Sequence, residues 1–260
     1  MRIVRYQTAA EPVRFGWVIE DQVGPLEGSP FSEFRRIEAT QPLEKVRLLA
    51  PVQPSKIICV GRNYVAHAKE REAEVPEVPL IFLKPPTAVI GQKETILVPP
   101  QSQRIEHEAE LAVVIGKRGR WISPEEAPNH ILGYTAANDV TARDLQNKDG
   151  QWTRGKGFDT FCPVGPWIET EFDPADALIT CHVNGEMRQM ASTRDMVFSV
   201  RQLIAFASSV MTLEPGDLLL TGTPAGIGLL IPGDIVEVTI EGIGQLSNPV
   251  AAEPAQKSSI

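Results

Sequence analysis

The sequence predicts a mostly-β, α+β fold, and three observations carry that prediction. Apolar residues recur every second position or in short runs, seldom with the 3.6-residue period of a helix. The 22 prolines and 20 glycines punctuate 260 residues, which favours short strands and turns. Residues 198–211 make the most persuasive helix, apolar at Leu203, Ile204, Phe206, Ala207, Val210 and Met211.

Taken in order, residues 1–50 read as a small N-terminal β-rich unit. Strands are predicted at 2–7, 14–20 and 22–26, and 45–50 leads out to the linker Pro51–Pro54. Residues 51–260 form the second, larger unit. It starts with a strand at 56–60 and the turn Gly61-Arg62-Asn63-Tyr64. A helix over 65–72 puts His67 and Glu70 on one side. The acidic, proline-bearing stretch 72–79 reads as a mobile loop. Strands follow at 80–83 and 95–98. Residues 105–116 read as one strand that turns from acidic to apolar. Side chains on a strand alternate, so Glu106, Glu108 and Glu110 share a face at steps of roughly 6.7 Å. From Leu111 both faces are apolar, as in a strand buried on both sides.

A short helix or turn is predicted at 124–129 and a strand at 131–138, ending in Asp139. A helix begins near Thr141, its predicted cap, with Asp144 in the first turn. Residues 148–161 read as a loop. Strands 164–169 and 178–183 follow, the second ending in an Asn184-Gly185 hairpin turn. Residues 217–220 enter the glycine-rich run Thr221–Gly228. Residues 234–240 read as the last strand, and the tail from Ala251 as loose.

Composition narrows the function classes. The chain is 42% hydrophobic and 22% charged, ordinary for a globular protein. A net charge of −8 argues against a general nucleic-acid binder, which needs a basic face. No apolar run reaches the ~18 residues of a membrane span. The start Met1-Arg2-Ile3-Val4-Arg5 lacks the apolar core of a signal peptide. Three cysteines, Cys59, Cys162 and Cys181, lie in or beside apolar runs without CxxC spacing. They read as reduced, buried thiols of a cytoplasmic protein.

Oxygen ligands outnumber any Cys or His set, so a bound metal would be a hard cation such as Mg2+, Mn2+ or Ca2+. Two glutamates two apart make half of such a site. They read equally well as a solvated acidic strand end. Asp139 is a candidate third ligand, and on position alone a helix cap or turn residue. The run Thr221–Gly228 has neither P-loop nor GxGxxG spacing, so it reads as a tight turn able to cradle an anion. His67 with Glu70 reads as an oriented base or as a surface pair. Lys156, between glycines, and Lys84, before two prolines, are a ligand-facing lysine each or simply solvated. His107 falls on the strand face opposite the glutamates, which suits packing rather than ligation.

The segments Gly61-Arg62-Asn63-Tyr64-Val65-Ala66-His67, Phe82-Leu83-Lys84-Pro85, Glu108 to Lys117, Asn138 to Gln146, Lys156-Gly157-Phe158, Asn184-Gly185-Glu186 and Thr221 to Gly228 occur in one order. That order closely resembles the fumarylacetoacetate hydrolase family over about residues 55–250. Residues 1–50 resemble the N-terminal domain of the bacterial branch that includes 2-hydroxyhepta-2,4-diene-1,7-dioate isomerases. The resemblance implies a mixed β-sandwich-like roll, usually a homodimer. It implies a divalent metal, Mg2+ or Mn2+ with Ca2+ as a crystal substitute, on Glu108, Glu110 and Asp139. It implies His67, Glu70 and Lys156 as catalytic, with His67 and Glu70 on a lid. Gln146, Gly222, Thr223 and Lys84 fall on the substrate side. Two departures stand out. Gly157 replaces a serine of fumarylacetoacetase-like members, and Asp159 replaces a small residue, which leaves Thr160 as a group expected near the metal. The substrate class implied is a 2-oxo or 2-hydroxydienoic dicarboxylate, handled through an enolate. Isomerisation in aromatic catabolism is the favoured outcome, ahead of acylpyruvate hydrolysis or oxaloacetate decarboxylation. A non-catalytic metal-binding scaffold is the reading from another class. No nucleic acid or membrane partner is implied.

Overall fold

Alternating burial sorts the chain into sheets. The structure, a computed structural model, describes residues 1–9 and 12–254. Among these, the largest sheet runs in the order Phe34–Arg36, Gln22–Gly28, Arg14–Ile19, Arg2–Gln7, Cys162–Glu169, Ile131–Asn138, Ala109–Ile115, Leu218–Leu220, Ile57–Gly61 and Leu80–Lys84. The N-terminal strands thus extend the same sheet, through Arg2–Gln7 paired antiparallel with Cys162–Glu169. A second sheet is built of Ile96–Val98, Gly244–Ala252, Ile235–Ile240, Leu178–Val183 and Glu186–Ser192. A small third one holds Thr141–Ala142, Ile105–His107 and Gly228–Leu229. The fold is mostly strands with few helices, as the period-two pattern requires.

Strand Ala109–Ile115 is buried throughout. Leu111, Val113 and Ile115 enter the core shared with the second sheet, beside Ile179, Val236 and Val238. Ala112 and Val114 point the other way, into a core with Ile57, Leu218 and Cys162. Each fully buried Val, Leu or Ile is worth about 1.5–3 kcal/mol. That is the scale needed to hold charged neighbours such as Glu108 inside, since a buried ion costs several kcal/mol after relaxation.

Four expectations need correction. Residues 105–116 are not one strand: Ile105–His107 and Ala109–Ile115 belong to different sheets, and the chain breaks at Glu108. There the Glu108 N–H donates to the Asn138 side chain at 2.9 Å rather than to a ladder carbonyl, so the pairing cannot run through. Thr141 caps nothing. It sits in the bridge strand, its hydroxyl donating to the Asp139 carbonyl at 2.8 Å, and helix α2 (Arg143–Asp149) starts without a side-chain cap. The predicted loop 148–161 carries a short helix, α3 (Thr153–Lys156). A further strand, Gly244–Ala252, follows the predicted last one. Its inward Asn248 hides the alternation. That amide is satisfied by the Gly91 and Glu94 carbonyls at 2.9 and 2.8 Å. The predicted loose tail starts inside this strand, and residues 255–260 lie outside the described residues.

The remaining helices match expectation within a turn. Helix α1, the segment expected to act as a lid, spans Val65–Glu70. The amphipathic helix, α4, spans Val200–Val210, opened by a capping box of Ser199 and Gln202. All three cysteines are free and buried. No helix among the described residues is long and apolar enough to cross a membrane.

Candidate metal centre

The break at Glu108 makes the site. Strand Ala109–Ile115 pairs antiparallel with Ile131–Asn138 in the register Ala109 opposite Asn138. Asp139 therefore leaves its strand beside Glu108, and its N–H donates to the Glu108 carbonyl at 2.8 Å. Glu110 lies one pleat further along. One oxygen from each of Glu108, Glu110 and Asp139 lies within 4.8 Å of the others, and all three side chains are buried.

Cations crowd two of the three acids. Lys156 Nζ donates to Glu108 Oε2 and Asp139 Oδ2, both at 2.7 Å. Lys84 Nζ donates to Asp139 Oδ1 at 2.5 Å and to the Val140 carbonyl at 3.1 Å. Arg143 donates to Glu108, to Glu106 at 2.6 Å and to Gln146 at 2.6 Å. Among the described residues no cation contacts Glu110, which accepts the Gly222 N–H at 2.7 Å.

The pKa shifts follow this inventory. Burial pushes Glu110 up, Asp139 and Glu108 push it further, and its carboxyl sits well above the usual range. Burial also works against Glu108, but Lys156, Arg143 and His67 outweigh it and hold that carboxyl below the usual range. Lys156 is likewise held up by Asp139 and Glu108 in spite of its burial. The set is all oxygen, and one of its members lacks a counter-charge. An ammonium already bridges the other two as a cation would. These residues fit a hard divalent ion.

Close backbone approach brings the rest in. Gly155 lets α3 lie against α2, since a Cβ there would meet Gln146 Cβ at 2.8 Å. Lys156 is carried to the acids by that contact. Gly222 adopts a φ of 95°, and a Cβ would meet the Asn63 Cβ at 2.8 Å. Its N–H is thereby aimed at Glu110.

Glu108 and Glu110 open onto a pocket of about 110 Å3, lined also by His67, Gln146, Lys156 and Thr223 among others. A cleft of about 1080 Å3 elsewhere, beside Leu43, Lys93 and Trp167, lacks a comparable convergence of ligating groups. Chemistry rather than size picks out the smaller one.

His67 is 6% exposed, and its Nδ1 lies 3.2 Å from Glu70 Oε2. Burial depresses the imidazole more than Glu108 and Glu70 raise it, so the ring is held towards its neutral form. The other Glu70 oxygen accepts the Gly226 N–H at 3.0 Å, tying α1 to the glycine-rich run.

Of the site residues singled out in the sequence, Glu70, Lys84, Asp139 and Gly222 do not line this pocket. Lys84 is spent on Asp139 and Val140. Thr160 accepts the Leu97 N–H at 2.9 Å. His107 packs as expected, its Nδ1 3.0 Å from Gln189 Oε1.

Two residues escaped the sequence reading. Arg143 was visible only as part of an Arg-Asp pair, three positions before Gln146. Gln189 left no signal. Its buried amide joins the halves of the site: Oε1 accepts from Ala109 N and Nε2 donates to Thr223 Oγ1 and the Pro224 carbonyl, at 3.0, 2.8 and 2.8 Å.

Residues 56–251 match the family described as fumarylacetoacetate (FAA) hydrolase C-terminal. The chain belongs to the fumarylacetoacetate hydrolase family. Residues 1–51 match a separate description, Rv2993c-like, N-terminal. An uncharacterized protein of Methanocaldococcus jannaschii is 55% identical over 202 residues, 78% of this chain and 85% of its own length. A mitochondrial oxaloacetate tautomerase of Bos taurus is 46% identical over 236 residues, 84% of this chain and 75% of its own. The solved structure of a 2-hydroxyhepta-2,4-diene-1,7-dioate isomerase from Mycobacterium marinum superposes with a TM-score of 0.91 at 44% identity. It covers 98% of this chain and 100% of that one. Members of the family are enzymes that use divalent metals, and the buried acidic cluster here can hold one.

Proposed function

We propose that this chain is a divalent-metal-dependent isomerase. It shifts a proton along a 2-oxo or 2-hydroxydienoic dicarboxylate through an enolate, with 2-hydroxyhepta-2,4-diene-1,7-dioate as the type substrate. The observation that carries this reading is the convergence of Glu108, Glu110, Asp139 and Lys156 in one buried cluster, from which Glu108, Glu110 and Lys156 line a pocket. Glu108, Glu110 and Asp139 would hold a divalent ion, which would supply Lewis acidity at the 2-oxo acid end of the substrate. Lys156 adds fixed positive charge at the same place, which favours an enolate over its ketone. Gln146 and Thr223 line the pocket and orient the substrate by hydrogen bonds. Arg143 holds Glu108 and Gln146 in place. His67, kept neutral by burial, takes or returns a proton at Nε2 while Glu70 fixes the ring through Nδ1.

The same pair supports a second reading. A buried, carboxylate-oriented imidazole also suits activation of water, which turns the enolate chemistry into acylpyruvate hydrolysis. Decarboxylation of oxaloacetate needs only the enolate. Incubation with 2-hydroxyhepta-2,4-diene-1,7-dioate, oxaloacetate and acetylpyruvate in Mg2+, with product identification, separates the three. The expected result is a double-bond or keto–enol isomer from a diacid. Chelation should remove the activity and Mg2+ or Mn2+ restore it. Asp139→Asn should lower turnover at least about 100-fold. Products of C–C cleavage alone, lost in His67→Ala, would replace isomerisation by the second reading. Undiminished activity after chelation would sink both.

A further inference from the structure

Resting on the reading of a dicarboxylate substrate, we infer that Arg62 and Arg71 form a second anionic subsite of this pocket, one that binds the substrate's distal carboxylate. The inference starts from charge pairing. Four side chains in the lining are permanent cations: Arg62, Arg71, Arg143 and Lys156. Arg143 and Lys156 are already engaged by Glu106, Glu108 and Asp139. Arg62 is half-buried and has no hydrogen bond or ion pair among the described residues. Arg71 spends a single N–H, on Asn147 Oδ1 at 3.0 Å. Burial depresses the Arg71 guanidinium and Arg143 adds to that, against the opposing pull of Glu106 and Glu108. A partly desolvated guanidinium with no counter-ion is costly, and an anionic ligand removes that cost.

The presentation of Arg62 is built rather than incidental. Its φ is 58°, in the left-handed region that a side chain of this size enters at a cost of order 1 kcal/mol. The next residue holds the turn in that shape. Asn63 Nδ2 donates to the Phe198 and Thr221 carbonyls at 3.0 and 2.8 Å, and its Oδ1 accepts the Phe198 N–H at 2.8 Å. Arg71 comes from the other side, directly after α1, so both ends of the lid segment contribute a cation. The same lining carries an apolar face, with Phe82 and Trp152 packed edge to face at 5.1 Å. A pocket that joins an apolar face to cations lacking an ion-pair partner suits a carbon chain with a carboxylate at each terminus.

The test compares two inert ligands of equal length that differ only at the far end, 2-oxoglutarate and 2-oxovalerate. Their affinities for the Mg2+-loaded enzyme are measured by calorimetry, without turnover. The diacid should bind roughly 10- to 100-fold more tightly than the monoacid, the range of charge-assisted hydrogen bonds. That ratio should collapse to about threefold or less in Arg62→Gln with Arg71→Gln, and Arg62→Lys should restore part of it. A wild-type ratio near one, or a ratio that survives the double substitution, overturns the subsite. Because the readout is a ratio of affinities, it is independent of which reaction the enzyme performs. Selective binding without isomerisation would overturn the reaction assigned above and leave the subsite standing.

Discussion

Glu108 and Glu110 are two residues apart on one face, yet their surroundings drive them in opposite directions. Lys156 and Arg143 keep Glu108 ionised, while Glu110, lacking a cation, is pushed towards its protonated form by burial and by its two acidic neighbours. A divalent ion would remove that asymmetry by supplying the charge Glu110 lacks. Burial is the largest influence on the thiols. It pushes Cys162 up to about 12 and Cys59 well above its ordinary value. At pH 8 the thiolate fraction at Cys162 is then about one in ten thousand. Native protein should resist iodoacetamide at that pH, and all three cysteines should label only in denaturant. Rapid labelling of the native form would contradict the burial described. The apolar flanks of each cysteine made this legible in the sequence, because burial of a short apolar run is a local property.

Among the elements, α1 is short and is tied down through Glu70. It has a single turn and a half, and Glu70 ties it to Gly226 while orienting His67. Glu70→Ala should release both contacts. Amide exchange across residues 65–71 and at Gly226 should rise about tenfold, with turnover falling by a similar factor. Unchanged protection would mean that Glu70 does not hold the lid. The helix and the His67–Glu70 spacing were readable, since i and i+3 contacts lie within one segment. The break at Glu108 was not. It depends on the Asn138 side chain, which arrives from a strand 30 residues away. Asn248 hid a whole strand for a similar reason: its partners at Gly91 and Glu94 lie in a distant segment.

At the scale of the whole molecule, the sheet order brings the site together. Leu218–Leu220 lies beside Ala109–Ile115 on one side and Ile57–Gly61 on the other, so the chain leaving it, the glycine-rich run, passes between the acids and the lid. Period-two patterning sufficed for the β-rich class and for the doubly buried strand. It was silent on register, and register is what sets Asp139 beside Glu108. On residues alone Asp139 stayed open between cap and ligand, and the order of motifs, not their spacing, pointed to a ligand. Lys84 shows the limit of that route: a lysine in the right motif is turned away from the pocket by its bond to Asp139. The central claim is that Glu108, Glu110 and Asp139 hold one divalent ion. Calorimetric titration of metal-free protein with Mn2+ tests it most directly, with circular dichroism to confirm that each variant is folded. We predict one ion per chain, lost in Glu110→Gln and in Asp139→Asn. Wild-type protein that binds no ion, or folded variants that bind it as tightly as wild type, would contradict the account.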